Sequence, residues 1–136
     1  MSTVVFMSGE HVVRMNDLLR RSPDVREACA ALDRDYTIAY ELHDAPDGGT
    51  VYWVLAFERG TGARFSLEPS GTADLTYVGG WRAAIRAARA ARAGRTSDED
   101  PFELRGDPSV PARIAGAYRV AQRVATIGTE LPDVRP

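Results

Sequence analysis

The side chains that could do acid–base or metal chemistry are few and widely spaced in this chain of 136 residues. Two histidines, His11 and His43, and one cysteine, Cys29, lie at long and irregular separations that match no zinc-binding pattern. A general base needs a positioned partner, and His43 precedes Asp44 on a predicted strand, where neighbouring side chains point to opposite faces. The sequence therefore predicts no metal site and a surface role for both histidines.

The remaining polar residues form no catalytic constellation. Aspartates 33, 35, 44 and 47 flank predicted turns, where they satisfy local hydrogen bonds, and residues 98–100 form an acidic loop. All 17 basic residues are arginine, which excludes lysine-based Schiff-base chemistry and the phosphate-loop lysine. Gly79 and Gly80 precede a predicted helix without a dinucleotide-binding pattern. We therefore predict no catalytic residues and no cofactor.

Composition narrows the class of protein further. A hydrophobic fraction of 44% and a charged fraction of 26% indicate one globular domain over residues 1–136, with residues 128–136 as an extended tail. The formal net charge is −2. The charge argues against a nucleic-acid partner, and no apolar stretch is long enough for an integral membrane segment. Without a basic region the N-terminus does not resemble a signal peptide, so a cytoplasmic location is expected. The arginine- and alanine-rich composition is typical of GC-rich genomes, of the actinobacterial type.

Hydrophobic periodicity predicts four helices. Ser8 precedes the first, and Ser22-Pro23-Asp24 begins a second that ends near Asp33. A third runs from Trp81 to about Ala93, with an arginine-rich outer side that is typical of a solvated face. Asp107 and Pro108 are predicted to open the last helix, as its cap and first residue.

Alternating apolar residues predict four consecutive strands between the second and third helices, beginning near Tyr36, Val51, Ala63 and Leu75. Because short turns join them, we expect an antiparallel meander. A fifth strand, 102–106, ends at a glycine, and the polar residues 94–100 before it are predicted to be a flexible loop. The predicted fold class is α+β: a single five-stranded, mostly antiparallel, curved sheet with helices packed on one face.

This order of elements resembles the sterol carrier protein type 2 family of intracellular lipid-binding domains. The resemblance is strongest where Ala73-Asp74-Leu75-Thr76 leads into a helix, and where Phe102-Glu-Leu-Arg-Gly106-Asp107 leads into the closing helix. It spans essentially the whole chain. It implies a hydrophobic tunnel between sheet and helices that takes lipids, sterols or acyl chains, and no catalytic residues.

The sequence also departs from that family. It has a polar insertion at 94–101, no lysine-rich surface, and a terminal Asp-Val-Arg-Pro in place of a peroxisomal signal. These departures argue against peroxisomal residence and against transfer by membrane contact.

Aromatic side chains dominate the predicted inner rows. They either fill a packed core or, as the resemblance implies, wall a cavity in which phenolic groups supply the polar contacts. Under the second interpretation the ligand-binding residues are Trp53, Phe65, Tyr77, Trp81, Ile85 and Tyr118.

Three hypotheses for function follow. The first is a non-catalytic carrier of a hydrophobic small molecule: a lipid, sterol, acyl chain or polycyclic metabolite. The second is a cofactor-free cyclase or isomerase that uses the same cavity, with Asp74 or Glu41 as a conceivable base. The third is an interaction module whose apolar face docks on a partner or on a second copy, giving a homodimer.

Overall fold

The computed structural model describes residues 4–5, 8–94, 102–125 and 129–130. In chain order its elements are β1 (Val4–Val5), α1 (Gly9–Arg21), α2 (Pro23–Ala30), β2 (Tyr36–His43), β3 (Val51–Glu58), β4 (Gly62–Ser66), β5 (Leu75–Gly80), α3 (Trp81–Arg92), β6 (Phe102–Gly106), α4 (Val110–Val124) and β7 (Thr129–Glu130). The predicted order of four helices and five longer strands is confirmed. The short strands β1 and β7 were not predicted.

Side-chain caps begin the first two helices where the sequence predicts them. The hydroxyl of Ser8 accepts the backbone N–H of His11 at 3.2 Å, and the hydroxyl of Ser22 accepts that of Val25 at 3.2 Å. Pro23 follows Ser22 at the start of α2, where a missing N–H costs nothing. Each cap satisfies a donor that the first helical turn leaves free.

Two predicted helix boundaries were wrong. Helix α2 ends at Ala30 rather than near Asp33, whose carboxylate instead accepts the Tyr36 hydroxyl at 2.5 Å. Helix α4 begins at Val110 rather than directly after Asp107. The Asp107 carboxylate accepts the N–H and the hydroxyl of Ser109, at 2.9 and 2.6 Å, and so forms a turn before the helix.

The main sheet has the strand order β4-β3-β2-β5-β6. Strands β2 and β3, β3 and β4, and β5 and β6 pair antiparallel, whereas β2 and β5 pair parallel. The sheet is therefore mostly antiparallel, but the expected four-strand meander was wrong at β5. This strand lies inside the sheet, between β2 and β6, and buries Leu75 on one face and Val78 on the other.

One face of the sheet carries the helices, as predicted. Tyr36, Ile38, Tyr40 and Leu42 of β2 point to this helix-covered face and align with apolar residues of the neighbouring strands. Both groups of buried core residues contain side chains from this face together with side chains from the helices. We call the opposite side of the sheet the open face.

The two short strands β1 and β7 pair in parallel as a separate sheet, with Val4 opposite Thr129. The expected extended tail therefore contains a paired segment at Thr129–Glu130. The rest of that tail, 128 and 131–136, and residues 95–100 of the predicted loop lie outside the described residues. No helix among the described residues is long and apolar enough to cross a membrane.

Candidate ligand-binding site

The apolar core is divided into two clusters along the helix-covered face. The larger lies beneath α1, α2 and α4 and includes Leu19, Phe57 and Ile114. The smaller consists of Leu42, Ala45, Trp81, Ala84 and Ile85, beneath α3. Tyr40 is only partly buried and packs against both clusters. The division therefore falls in the middle of β2, at Tyr40.

The helices leave part of this face uncovered. Helix α4 packs mainly on α2, and α3 packs on β2 and β5. Within the described ranges, α3 and α4 do not pack along each other and no helix packs along β6. Leu104 of β6 points to the helix-covered face beside Tyr77, yet 50% of its surface is exposed. We call this uncovered region over β5 and β6, between α3 and α4, the inter-helix gap.

Three aromatic rings form the floor of the inter-helix gap. Tyr40 and Tyr77 are register partners on β2 and β5, and their rings stack with centroids 4.8 Å apart and planes at 15°. Phe102 of β6 meets both edge-on, at 5.5 Å from Tyr40 and 5.8 Å from Tyr77. Offset-stacked and edge-to-face pairs are the favourable arrangements of aromatic rings. We call these three residues the aromatic floor.

The hydroxyl of Tyr40 is a polar group inside this apolar setting. Burial, and to a smaller extent the neighbouring phenols of Tyr118 and Tyr77, raise the pKa of Tyr40. The phenol is therefore neutral at any physiological pH and keeps its proton for donation. In the part of the chain that the structure describes, no group accepts or donates a hydrogen bond at this hydroxyl, and its oxygen is not sealed inside the protein.

The six predicted ligand-binding residues do not form one contact set, and Phe65 lies on β4, at the opposite edge of the sheet from β6. Trp53 and Phe65 belong to the larger cluster, with ring centroids 5.1 Å apart. Trp81 and Ile85 are buried in the smaller cluster. Tyr77 lies in the aromatic floor. Tyr118 of α4 is 41% exposed, with its ring 6.4 Å from that of Phe57.

Three residues of the inter-helix gap, Tyr40, Phe102 and Leu104, are not among the six that the sequence named. The alternation of β2 places Tyr40 on the apolar face of that strand, as predicted. Its position beside Tyr77, however, depends on the parallel pairing of β2 with β5, which the expected meander excluded. Phe102 and Leu104 lie on β6, whose antiparallel register with β5 brings them next to Gly79 and Tyr77. Tyr40, Phe102 and Leu104 would have been grouped with Tyr77 if β5 had been predicted to lie between β2 and β6.

The surface role predicted for His11 was wrong. Its side chain is buried, and its ring stacks on Trp53 with centroids 5.3 Å apart. Position 11 falls in the first turn of α1, on the same side as the buried Met15 and Leu19, because residues about four apart share a helix face. The prediction for His43 is confirmed: its exposed ring contacts Glu41 at 3.2 Å and Thr50 at 3.3 Å.

Neither carboxylate named as a conceivable base lies in the inter-helix gap. Glu41 alternates with Tyr40 and Leu42 and so lies on the open face. Asp74 precedes β5, where it pairs with Arg34 at 2.9 Å and accepts the backbone N–H of Thr37 at 2.7 Å. Both carboxylates already have partners, and neither points toward the aromatic floor.

The described residues contain no group of three or more histidine, cysteine or acidic side chains that could hold a metal ion. Cys29 is buried in the larger cluster, and burial raises the pKa of its thiol. A thiol in this state is a poor nucleophile, because the thiolate is the reactive form.

Comparison with known proteins identifies the fold. No protein-family model and no curated protein matches the chain. Among solved structures, it is similar to sterol carrier protein 2, with a TM-score of 0.52 and 20% identity over 88% of this chain and 96% of the other. It is also similar to a conserved hypothetical protein from Thermus thermophilus with a suggested sterol carrier assignment, with a TM-score of 0.59 and 20% identity over 92% and 90% of the two chains.

These similarities define the class of protein: the chain has the sterol carrier protein 2 fold. The resemblance inferred from the sequence is thereby confirmed at the level of the fold, an α+β arrangement with an open five-stranded mixed sheet and four helices.

Proposed function

We propose that the protein binds a hydrophobic small molecule, such as a lipid, sterol, acyl chain or polycyclic metabolite, in the inter-helix gap. The observation that carries this proposal is the divided core, which leaves Leu104 half exposed beside the aromatic floor. A fully packed α+β domain would join its buried side chains into one cluster over this face. An apolar guest would connect the two clusters.

The physical driving force is burial of apolar surface. Each Å² of apolar area removed from water contributes about 25 cal/mol, so covering the exposed parts of Leu104 and the aromatic floor favours an apolar ligand. On this proposal three predicted residues supply the apolar flanks: Trp53, the register partner of Tyr40, and Trp81 and Ile85, in the cluster against which Phe102 packs. Phe65 lies farther away, on the edge strand β4. The name of the structural neighbour, sterol carrier protein 2, is consistent with this kind of guest.

The positions of the acids favour binding over catalysis. The enzyme hypothesis depends on a carboxylate on the wall of the cavity, and both Glu41 and Asp74 are engaged elsewhere. The aromatic floor offers stacking surfaces and phenols, which bind and orient a guest. We therefore propose a carrier or binding protein.

A charge placed in the inter-helix gap tests the site. Leu104→Glu should lower the affinity for a bound lipid at least tenfold, since a carboxylate covered by the lipid must lose its water. Because half of the Leu104 surface is exposed, the variant should unfold at nearly the same urea concentration as the wild type. Affinity is measured by displacement of the neutral dye N-phenyl-1-naphthylamine by sterols, fatty alcohols and fatty acids.

The matched control is Val13→Glu, which puts the same charge on α1 at a residue that is 69% exposed. This variant should bind like the wild type. Absence of dye displacement by every lipid, or unchanged binding by the Leu104 variant, would contradict the proposed function.

A further inference from the structure

The inter-helix gap has a polar feature that its apolar character does not require. Three tyrosines of the sheet, Tyr36, Tyr40 and Tyr77, point to the helix-covered face. Tyr36 already donates its hydroxyl to Asp33 at 2.5 Å. The Tyr40 hydroxyl, by contrast, is not fully buried and makes no hydrogen bond to any described residue. A largely buried ring that ends in an uncommitted donor is a site for a hydrogen-bonding group of a guest.

A further phenol, that of Tyr118 on α4, is 41% exposed and has its ring 6.4 Å from that of Phe57. Tyr77 and Tyr118 both lie near enough to Tyr40 to affect its ionisation. The polar end of a guest at Tyr40 would lie beside the stacked ring of Tyr77.

The described strands place no charged side chain on the sheet side of the gap. The alternation of β2–β6 puts the charged residues of these strands on the open face: Glu41, His43, Glu58, Arg64, Glu103 and Arg105. No arginine or histidine of these strands can therefore neutralise an anion beside Tyr40. A carboxylate beside Tyr40 would lose much of its water shell, and one hydrogen bond from a phenol does not compensate for that loss.

From this geometry we infer that the phenol of Tyr40 receives an uncharged polar group of the ligand, a hydroxyl or a carbonyl, and that the protein selects neutral amphiphiles over fatty-acid anions. This inference rests on the proposed function. The raised pKa of Tyr40 supports it, because the surroundings that disfavour a phenolate also disfavour a carboxylate. The preferred ligand is therefore a long-chain alcohol, a sterol with a free hydroxyl or a neutral ester.

Three probes of equal chain length separate the effects of tail and head group: 1-dodecanol, dodecanoate and dodecane, each in competition with N-phenyl-1-naphthylamine at pH 8. We expect 1-dodecanol to bind at least tenfold more tightly than dodecanoate. Tyr40→Phe should weaken 1-dodecanol binding about fivefold, the value of one neutral hydrogen bond, and leave dodecane binding unchanged. Tyr118→Phe tests the phenol on the helix in the same way.

The matched control is Tyr52→Phe, because Tyr52 lies on β3 opposite Glu41 and so on the open face. It should alter binding of none of the three probes. Equal affinities for dodecanoate and 1-dodecanol, or unchanged 1-dodecanol binding by Tyr40→Phe, would overturn the inference while the proposed function stands. If no sterol, fatty alcohol or fatty acid displaces the dye, the proposed function fails and this inference fails with it.

Discussion

Gly106 has a backbone conformation that residues other than glycine rarely adopt. Its φ is +108°, and a Cβ at this position would collide with the backbone oxygen of Asp74. The next residue, Asp107, donates its backbone N–H to that same oxygen at 2.9 Å. The Gly-Asp pair at the end of β6 is therefore required by a close approach of two backbones, in addition to its value before a helix.

Gly106→Ala should lower the free energy of unfolding by about 2–4 kcal/mol, because it combines an unfavourable φ with a backbone collision. Urea denaturation followed by circular dichroism measures the change. Gly71→Ala is the matched control, since a Cβ at position 71 contacts nothing and its φ is not in the positive region. Equal stability of the two variants would contradict this account of Gly106.

Asp107 links stability to pH. Hydrogen bonds from the hydroxyl and then the backbone N–H of Ser109 hold the pKa of this carboxyl below its ordinary value. Because the pKa of the carboxyl is lower in the folded state, its ionisation stabilises the fold. This stabilisation is complete above the unfolded-state pKa, about 4, and is lost as the pH falls through the folded-state pKa.

Asp107→Asn should therefore be less stable than the wild type at pH 7, with a difference that shrinks below pH 4. Urea midpoints at several pH values give the comparison, and Glu103→Gln controls for the loss of one exposed acid. A difference that stays constant from pH 7 to pH 2.5 would show that the carboxylate has no such role.

Among the elements, α1 protects one edge of the sheet. Strand β4 is the terminal strand, and Asn16 of α1 engages both backbone groups of Phe65 on it. The Asn16 side chain accepts the Phe65 N–H at 2.7 Å and donates to the Phe65 carbonyl at 2.9 Å. A single amide thus takes the place of a missing strand and covers backbone groups that could pair with another chain.

Asn16→Ala should lower the free energy of unfolding by about 2–3 kcal/mol, because two partly buried backbone groups lose their partners. It should also increase aggregation on heating, measured by light scattering. Asp17→Ala is the control one residue away: it removes exposed ion pairs to Arg20 and Arg21, which contribute little. If both variants lose stability equally, the edge contact is not the cause.

The elements also show which parts of the fold a sequence reveals. Ser8 and Ser22 mark helix starts because capping is a contact within three residues. Alternation identified the first four of the five longer strands for the same local reason. The order of the strands was wrong at β5, because pairing is a long-range choice and the alternation of Leu75 and Tyr77 is compatible with several neighbours.

For the whole molecule, the fold class was predictable and the composition of the site only partly so. Tyr77 was named from its position on an inner row and does lie in the aromatic floor. Tyr40 and Phe102 were not named, since their proximity depends on the registers of β2 and β6 with β5. Burial of His11 depends on how α1 sits over Trp53, which no local pattern encodes.

The parallel pairing of β2 with β5 also has a kinetic consequence. The hairpins β2–β3 and β3–β4 close through short turns, whereas the register of Ile38 with Leu75 requires a loop that encloses both hairpins. Closing such a loop reduces the entropy of the chain before the stabilising contacts between the strands have formed, which slows this step relative to hairpin formation. We therefore expect Tyr77 to reach Tyr40 only after both hairpins have formed, so that a newly made chain completes its aromatic floor late in folding.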